Sequence, residues 1–212
     1  MAGPLWSHAV FAECVVLFLR VFLIVAVAAA LAACASTPPS RRDAPAGPVI
    51  AHSLRLCPGV VISNAPAADS ARRIADYEPL ARVNGASLYR APVNACVSSG
   101  FGPRNGGASS YHHGVDLYTG EPATVVAGGD GVVEAARTMN GYGNMVLIRH
   151  SGGVKTRYAH LSSFAPGIRP GTRVMQGEPI GVTGATGNAK AVHLHYEIIV
   201  GGKARNPLNI GR

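Results

Sequence analysis

From residue 91 onward the chain is cut by glycine pairs into short runs rich in Val, Ile and Tyr, a texture that leaves little room for helices. The runs at 125–137, 144–149, 154–158, 179–182 and 193–200 have strand length, and Asn140-Gly141, Gly152-Gly153 and Gly201-Gly202 are turn signals between runs or after the last. Six or more strands in about 110 residues, with no helical period between them, predict an antiparallel all-β domain built as a sheet or sandwich. The chain is 48% hydrophobic and 14% charged, so it can bury a core, and whole-chain disorder is excluded.

The residues ahead of this domain are of three kinds. Residues 9–33 are almost wholly apolar, interrupted by Glu13 and Arg20, and end in Leu31-Ala32-Ala33-Cys34. That ending resembles the bacterial lipobox, which implies a signal peptide over 1–33 and a lipid on Cys34. The alternative is a retained membrane anchor, although Glu13 and Arg20 would each oppose insertion by roughly 2.5–3.5 kcal/mol. Either way the remainder lies outside the cytoplasm. Lipidation would put it on the periplasmic side of a membrane, the outer rather than the inner one because Ala35 and not Asp follows Cys34. Residues 34–48 lack apolar periodicity and read as a flexible tether. Residues 49–92 form an extension expected to be partly helical, with a weak amphipathic helix over 69–78 that Pro79 ends. The β domain would occupy 93–212.

With Cys14 removed and Cys34 lipidated, Cys57 and Cys96 remain, and an oxidising compartment should pair them. Two buried free thiols are the other reading.

Six of the eight histidines fall between residues 112 and 195. In His193-Leu194-His195-Tyr196-Glu197-Ile198 the period of two sends Leu194, Tyr196 and Ile198 to the core and puts His193 and His195 together on the other face. In His112-His113-Gly114-Val115-Asp116 an imidazole and a carboxylate stand four residues apart, about 13 Å if extended. A helix could bring them together, but Gly114 and Val115 between them disfavour it, so the chain should bend at Gly114. His160 ends the run before it, opposite Ala159. Four imidazoles and one carboxylate are donors that zinc prefers. Taken singly, each histidine could equally be a structural residue.

Together, HxxxD at 112–116, YxHL at 158–161 and HLHYE at 193–197 resemble the lysostaphin-type, or LytM-like, zinc endopeptidases. Ser99-Gly100-Phe101-Gly102-Pro103-Arg104, Gly141-Tyr142-Gly143-Asn144 and the segment at 180–187 extend the likeness over residues 93–208. The resemblance implies one zinc per domain, held by His112, Asp116 and His195, with His160 and His193 as catalytic histidines. His113 takes the variable position of HxxxD, and His150 is expected at the surface. Ala191-Val192 and Lys190 depart from the family pattern beside the groove.

Hydrolysis of peptide cross-links in bacterial peptidoglycan is the implied activity, at D-Ala to diaminopimelate bonds. A formal net charge of +8 suits an anionic wall. The alternative is a non-hydrolytic module of the same fold that binds the wall and activates another hydrolase. No nucleic-acid partner is expected: the glycines at 181–187 form no phosphate loop. Regulatory protein partners are not readable from the sequence.

Overall fold

The computed structural model describes residues 52–62, 64–105 and 109–211. The expectations for the leader, the tether and Cys34 lie outside the described residues. The described residues form one compact unit, and their secondary structure is almost entirely β.

The strands in chain order are β1 (Leu80–Val83), β2 (Ala86–Tyr89), β3 (Cys96–Ser99), β4 (Gly102–Pro103), β5 (Tyr111–His112), β6 (Val115–Tyr118) and β7 (Thr124–Val126). They continue as β8 (Gly131–Met139), β9 (Gly143–Arg149), β10 (Val154–Phe164), β11 (Arg173–Val174), β12 (Pro179–Thr183), β13 (His193–Val200) and β14 (Lys203–Arg205). β1 pairs with β2 and β4 with β5, while ten strands make one antiparallel sheet with the path β11-β8-β9-β10-β13-β6-β3. β12 leaves that path, pairing with β10 and β7, and β14 pairs with β13.

The expected alternation in β13 holds, with Leu194, Tyr196 and Ile198 all 0% exposed. Their faces join Val97, Leu117, Val146, Ile148 and Leu161 in one core. Leu54, Ile74, Ala81 and Leu88 from the extension belong to the same core. Cys57 and Cys96 are joined by a disulfide.

β10 is the longest strand and changes partners part-way along. Its first half lies between β9 and β13 through Tyr158 and Ala159, and from Leu161 it pairs with β12. The register slips between Tyr158 and Leu161. His160 sits at that slip with φ +63°, a left-handed conformation uncommon for a side-chain-bearing residue. Its N–H leaves the ladder and donates to Tyr142 O at 2.8 Å. The bulge re-aims one imidazole without ending the strand.

Three expectations are corrected. No helix forms over 69–78; the segment turns and pairs instead. Asp69 accepts from the Arg73 N–H at 2.8 Å through its side chain, Arg72 and Asp76 have φ of 61° and 51°, and Ile74 N donates to Leu54 O at 2.9 Å. A ten-residue helix is marginal in water, and an aspartate that satisfies the backbone locally favours a turn. Among its described residues the extension therefore carries no helix.

The single run at 125–137 is two strands, β7 and β8. Gly128 separates them, packed so closely that a Cβ would lie 2.8 Å from the Tyr196 hydroxyl and 3.0 Å from that of Tyr158. Its N–H donates to Tyr158 Oη at 2.7 Å. His150 is not at the surface: it is 4% exposed, with Nδ1 2.8 Å from Asp130 O and Nε2 2.7 Å from Thr156 Oγ1. Burial pushes its pKa down, so it is a neutral core residue.

Candidate active site

β13 lies between β6 and β10, and this placement gathers the site. Register pairs His195 with Asp116 on one side and with Ala159, the neighbour of His160, on the other. His193 and His195 share the face opposite the core. The bend expected between β5 and β6 occurs at residues 113–114. It brings His112 Nε2 to 3.1 Å from Asp116 Oδ1. Only glycine passes at position 114, because a Cβ would overlap Tyr196 O and lie 3.0 Å from the His195 ring.

His112, Asp116 and His195 each offer one donor atom, all within 4.8 Å of one another. His195 Nδ1 is 3.0 Å from Asp116 Oδ1 and 3.0 Å from His112 Nε2. A tetrahedral zinc with bonds of about 2.0–2.2 Å has ligand atoms roughly 3.3–3.6 Å apart, so a few tenths of an ångström of spreading would admit the ion.

The neighbours fix which nitrogen of each ring faces inward. His112 Nδ1 donates to Gly100 O at 2.6 Å, leaving Nε2 as the lone pair. His195 Nε2 donates to Glu197 Oε1 at 3.0 Å, leaving Nδ1. Two imidazole lone pairs and a carboxylate oxygen thus converge on one point, as a divalent cation requires.

The electrostatics agree. Burial opposes charge on His195, but hydrogen bonds from its ring to Asp116 and Glu197 and their negative charge push its pKa up to about 9. Burial would raise Asp116, yet its hydrogen bonds with His112 and His195 hold its carboxyl well below the usual carboxylate range. Such a cage favours a positive charge between its carboxylates, and a metal ion can replace the proton that supplies it.

His160 and His193 stand beside this cluster, with ring centroids 4.8 Å apart. His160 Nδ1 donates to Thr186 O at 2.8 Å, and His193 Nδ1 donates to Ala191 O at 2.8 Å. In each neutral ring Nε2 therefore carries the lone pair. Burial and the neighbouring His193 push the His160 pKa down to about 4, so it is neutral at physiological pH. His113 is exposed, its ring 5.0 Å from that of Tyr111.

The cluster lies in a groove of about 800 Å³, with the Cys57–Cys96 disulfide on its wall and Arg104 and Lys190 along it. Arg104 Nη1 is 3.9 Å from Asp116 Oδ2.

Sequence reasoning assigned no role to Glu197, Tyr142 or Arg157. Glu197 Oε1 accepts from the Tyr142 hydroxyl at 2.9 Å, and Oε2 accepts from Arg157 Nη1 at 2.8 Å. Arg157 also lies over the Tyr142 ring, 4.5 Å from its centroid. The signal for Glu197 was present, since the same period of two puts it on the face of His193 and His195. Arg157 gave none: it meets Glu197 only through the β10–β13 register.

Residues 110–207 match the sequence profile of Peptidase family M23. A solved zinc-containing peptidase from Vibrio cholerae is similar in fold, with a TM-score of 0.54 and 29% identity over 59% of this chain and 44% of that one. The catalytic domain of lysostaphin from Staphylococcus simulans gives 0.50 and 30% over 54% and 90%. The segment is thus a Peptidase family M23 domain of the lysostaphin type.

Among curated relatives, the DD-carboxypeptidase/endopeptidase Mpg of Neisseria meningitidis is 41% identical over 47% of this chain and 22% of its own length. The peptidoglycan DD-endopeptidase ShyC of Vibrio cholerae is 37% identical over 63% and 32%. The murein hydrolase activator NlpD of Salmonella typhimurium is 34% identical over 58% and 31%. The chain thus spans about a third or less of the length of each of these relatives.

Proposed function

We propose that the chain is a zinc-dependent peptidoglycan endopeptidase that hydrolyses peptide cross-links of the bacterial wall, D-Ala to diaminopimelate bonds first among them. One observation carries this reading: the inward lone pairs of His112 Nε2, His195 Nδ1 and Asp116 Oδ1 meet beside two further imidazoles whose Nδ1 atoms are held by backbone carbonyls, with His193 Nε2 3.7 Å from Asp116 Oδ1. His112, Asp116 and His195 would hold the zinc. When bound, zinc supplies Lewis acidity toward the scissile amide and the attacking water.

The chain's own groups do the rest. His160, neutral because of burial and its neighbour His193, takes the water proton at Nε2 and passes it to the leaving amine nitrogen. Its Nδ1–H stays on Thr186 O throughout, which keeps Nε2 aimed at the groove. His193, held on Ala191 O through its Nδ1–H, turns Nε2 to the same space, where its lone pair accepts a hydrogen bond from the attacking water and orients it. Glu197 holds the His195 tautomer.

In the same reading Cys34 carries a lipid after removal of residues 1–33. Residues 34–48 tether the enzyme to the periplasmic side of the outer membrane. The +8 charge draws it to the anionic wall.

Digestion of purified sacculi with the zinc-loaded chain, followed by mass analysis of the muropeptides, tests the activity and the bond together. Un-cross-linked muropeptides should appear with the wild type and vanish with His160→Ala, while zinc binding persists. The likeness to NlpD favours the second reading, a wall-binding activator. Sacculus binding without any release, under varied metal and pH, would select it and refute the enzyme.

A further inference from the structure

The extension reaches His112 through the backbone of one residue, Gly100. Asn64 Oδ1 accepts the Gly100 N–H at 3.0 Å, and Asn64 Nδ2 donates to Gly100 O. One side-chain amide thus grips both polar atoms of the same residue. A Cβ at position 100 would overlap the Asn64 carbonyl, so the approach requires glycine. Gly100 O also accepts His112 Nδ1–H at 2.6 Å. The direction of that carbonyl sets the plane of the His112 ring. It therefore sets where Nε2 stands against Asp116 Oδ1 at 3.1 Å and His195 Nδ1 at 3.0 Å.

The segment carrying Asn64 is itself pinned. Cys57 is bonded to Cys96 at the start of β3, and its N–H donates to Val97 O at 2.9 Å. From the other side Arg72 Nη2 donates to Cys57 O at 2.6 Å and to Val60 O at 3.0 Å. All of these residues precede the family match at 110–207.

We propose that Asn64 is a positioning residue for the metal site, acting through Gly100 on His112, and that the Cys57–Cys96 disulfide anchoring its segment raises zinc affinity by the same route. The proposal rests on the zinc reading above and extends it to a part of the chain outside the family domain. Removing an outer hydrogen-bond partner of a ligating histidine typically weakens metal binding by about 10–100-fold.

The test measures zinc affinity of the full chain by competition with a chromophoric chelator, in the wild type, Asn64→Ala, Cys57→Ser/Cys96→Ser and the combination. Each of the first two should raise the zinc Kd at least about tenfold. The combination should exceed the larger single effect only slightly, because both act on one segment. The cobalt-substituted Asn64→Ala chain should show shifted d–d absorption, reporting a displaced ligand. Arg72→Met, which loosens the segment from a distance, carries the same test if Asn64→Ala does not fold. Variants that melt earlier yet bind zinc within twofold of the wild type would show that Asn64 merely braces the fold, and would overturn the inference. A wild-type chain that takes up no zinc would sink the proposed function as well, so the two failures are distinguishable.

Discussion

Replacing Glu197 with glutamine removes one charge from the site while keeping its shape. Glu197 is 1% exposed, and its two oxygens take three donors: His195 Nε2–H at 3.0 Å, the Tyr142 hydroxyl at 2.9 Å and Arg157 Nη1 at 2.8 Å. Glutamine has one acceptor oxygen, so its NH2 must face either the His195 and Tyr142 donors or the guanidinium. Both placements set donor against donor. The metal-side effect should be a 10–100-fold loss of zinc affinity, or about 1.4–2.7 kcal/mol.

The fold-side effect is larger, because Arg157 loses its counter-charge. Breaking a buried pair by removing one partner costs about 3–5 kcal/mol. Arg157 is 20% exposed, so the lower end, about 3 kcal/mol, applies. At about 2–4 °C per kcal/mol, the metal-free melting temperature should fall by roughly 6–12 °C.

Chelator competition and calorimetry on Glu197→Gln, Arg157→Met and the double variant separate the two effects. Adding Arg157→Met to Glu197→Gln should recover part of the stability and none of the zinc affinity. Wild-type zinc affinity in Glu197→Gln would refute the argument that this carboxylate sets the His195 tautomer.

Metal removal should expose a pH dependence with a worked sign. In the metal-free chain His195 is raised to about 9, so its contribution is fully present below its unfolded value near 6.5 and is lost as pH rises through about 9, amounting to about 3 kcal/mol. His160 is lowered to about 4, so its contribution is present above 6.5 and is lost as pH falls through about 4. Calorimetry of the chelated chain should therefore find maximal stability near pH 6.5. A flat curve from 6.5 to 9 would contradict the cage around His195, and zinc should abolish that alkaline limb. Gly114→Ala should press on the His195 ring and Tyr196 O, destabilising the fold by about 1–3 kcal/mol in urea titrations and weakening zinc binding in the same samples.

Much of this protein is legible in its residue order, and the reason is periodicity. Alternation fixes which face of a strand a side chain takes, so the buried Leu194, Tyr196 and Ile198 and the opposed His193 and His195 follow from the sequence of β13 alone. The need for a bend at Gly114 follows from bond lengths and the reach of an extended chain. Local periodicity misled where side chains compete with the backbone, as Asp69 does in turning the segment expected to be helical.

Other features depend on which distant segments pair. The slip in β10 that turns His160 out of the ladder, the meeting of Arg157 with Glu197 and the burial of His150 all come from strand register. The grip of Asn64 on Gly100, across 36 positions of chain, comes instead from a side chain outside the strands meeting a loop backbone. Sequence by itself determined the kinds of donor and the strand faces they occupy, because those depend on neighbours a few bonds away. Tertiary structure alone decided which ring nitrogen points inward and what holds it there, because a tautomer is set by a hydrogen-bond partner brought close only when the sheet closes.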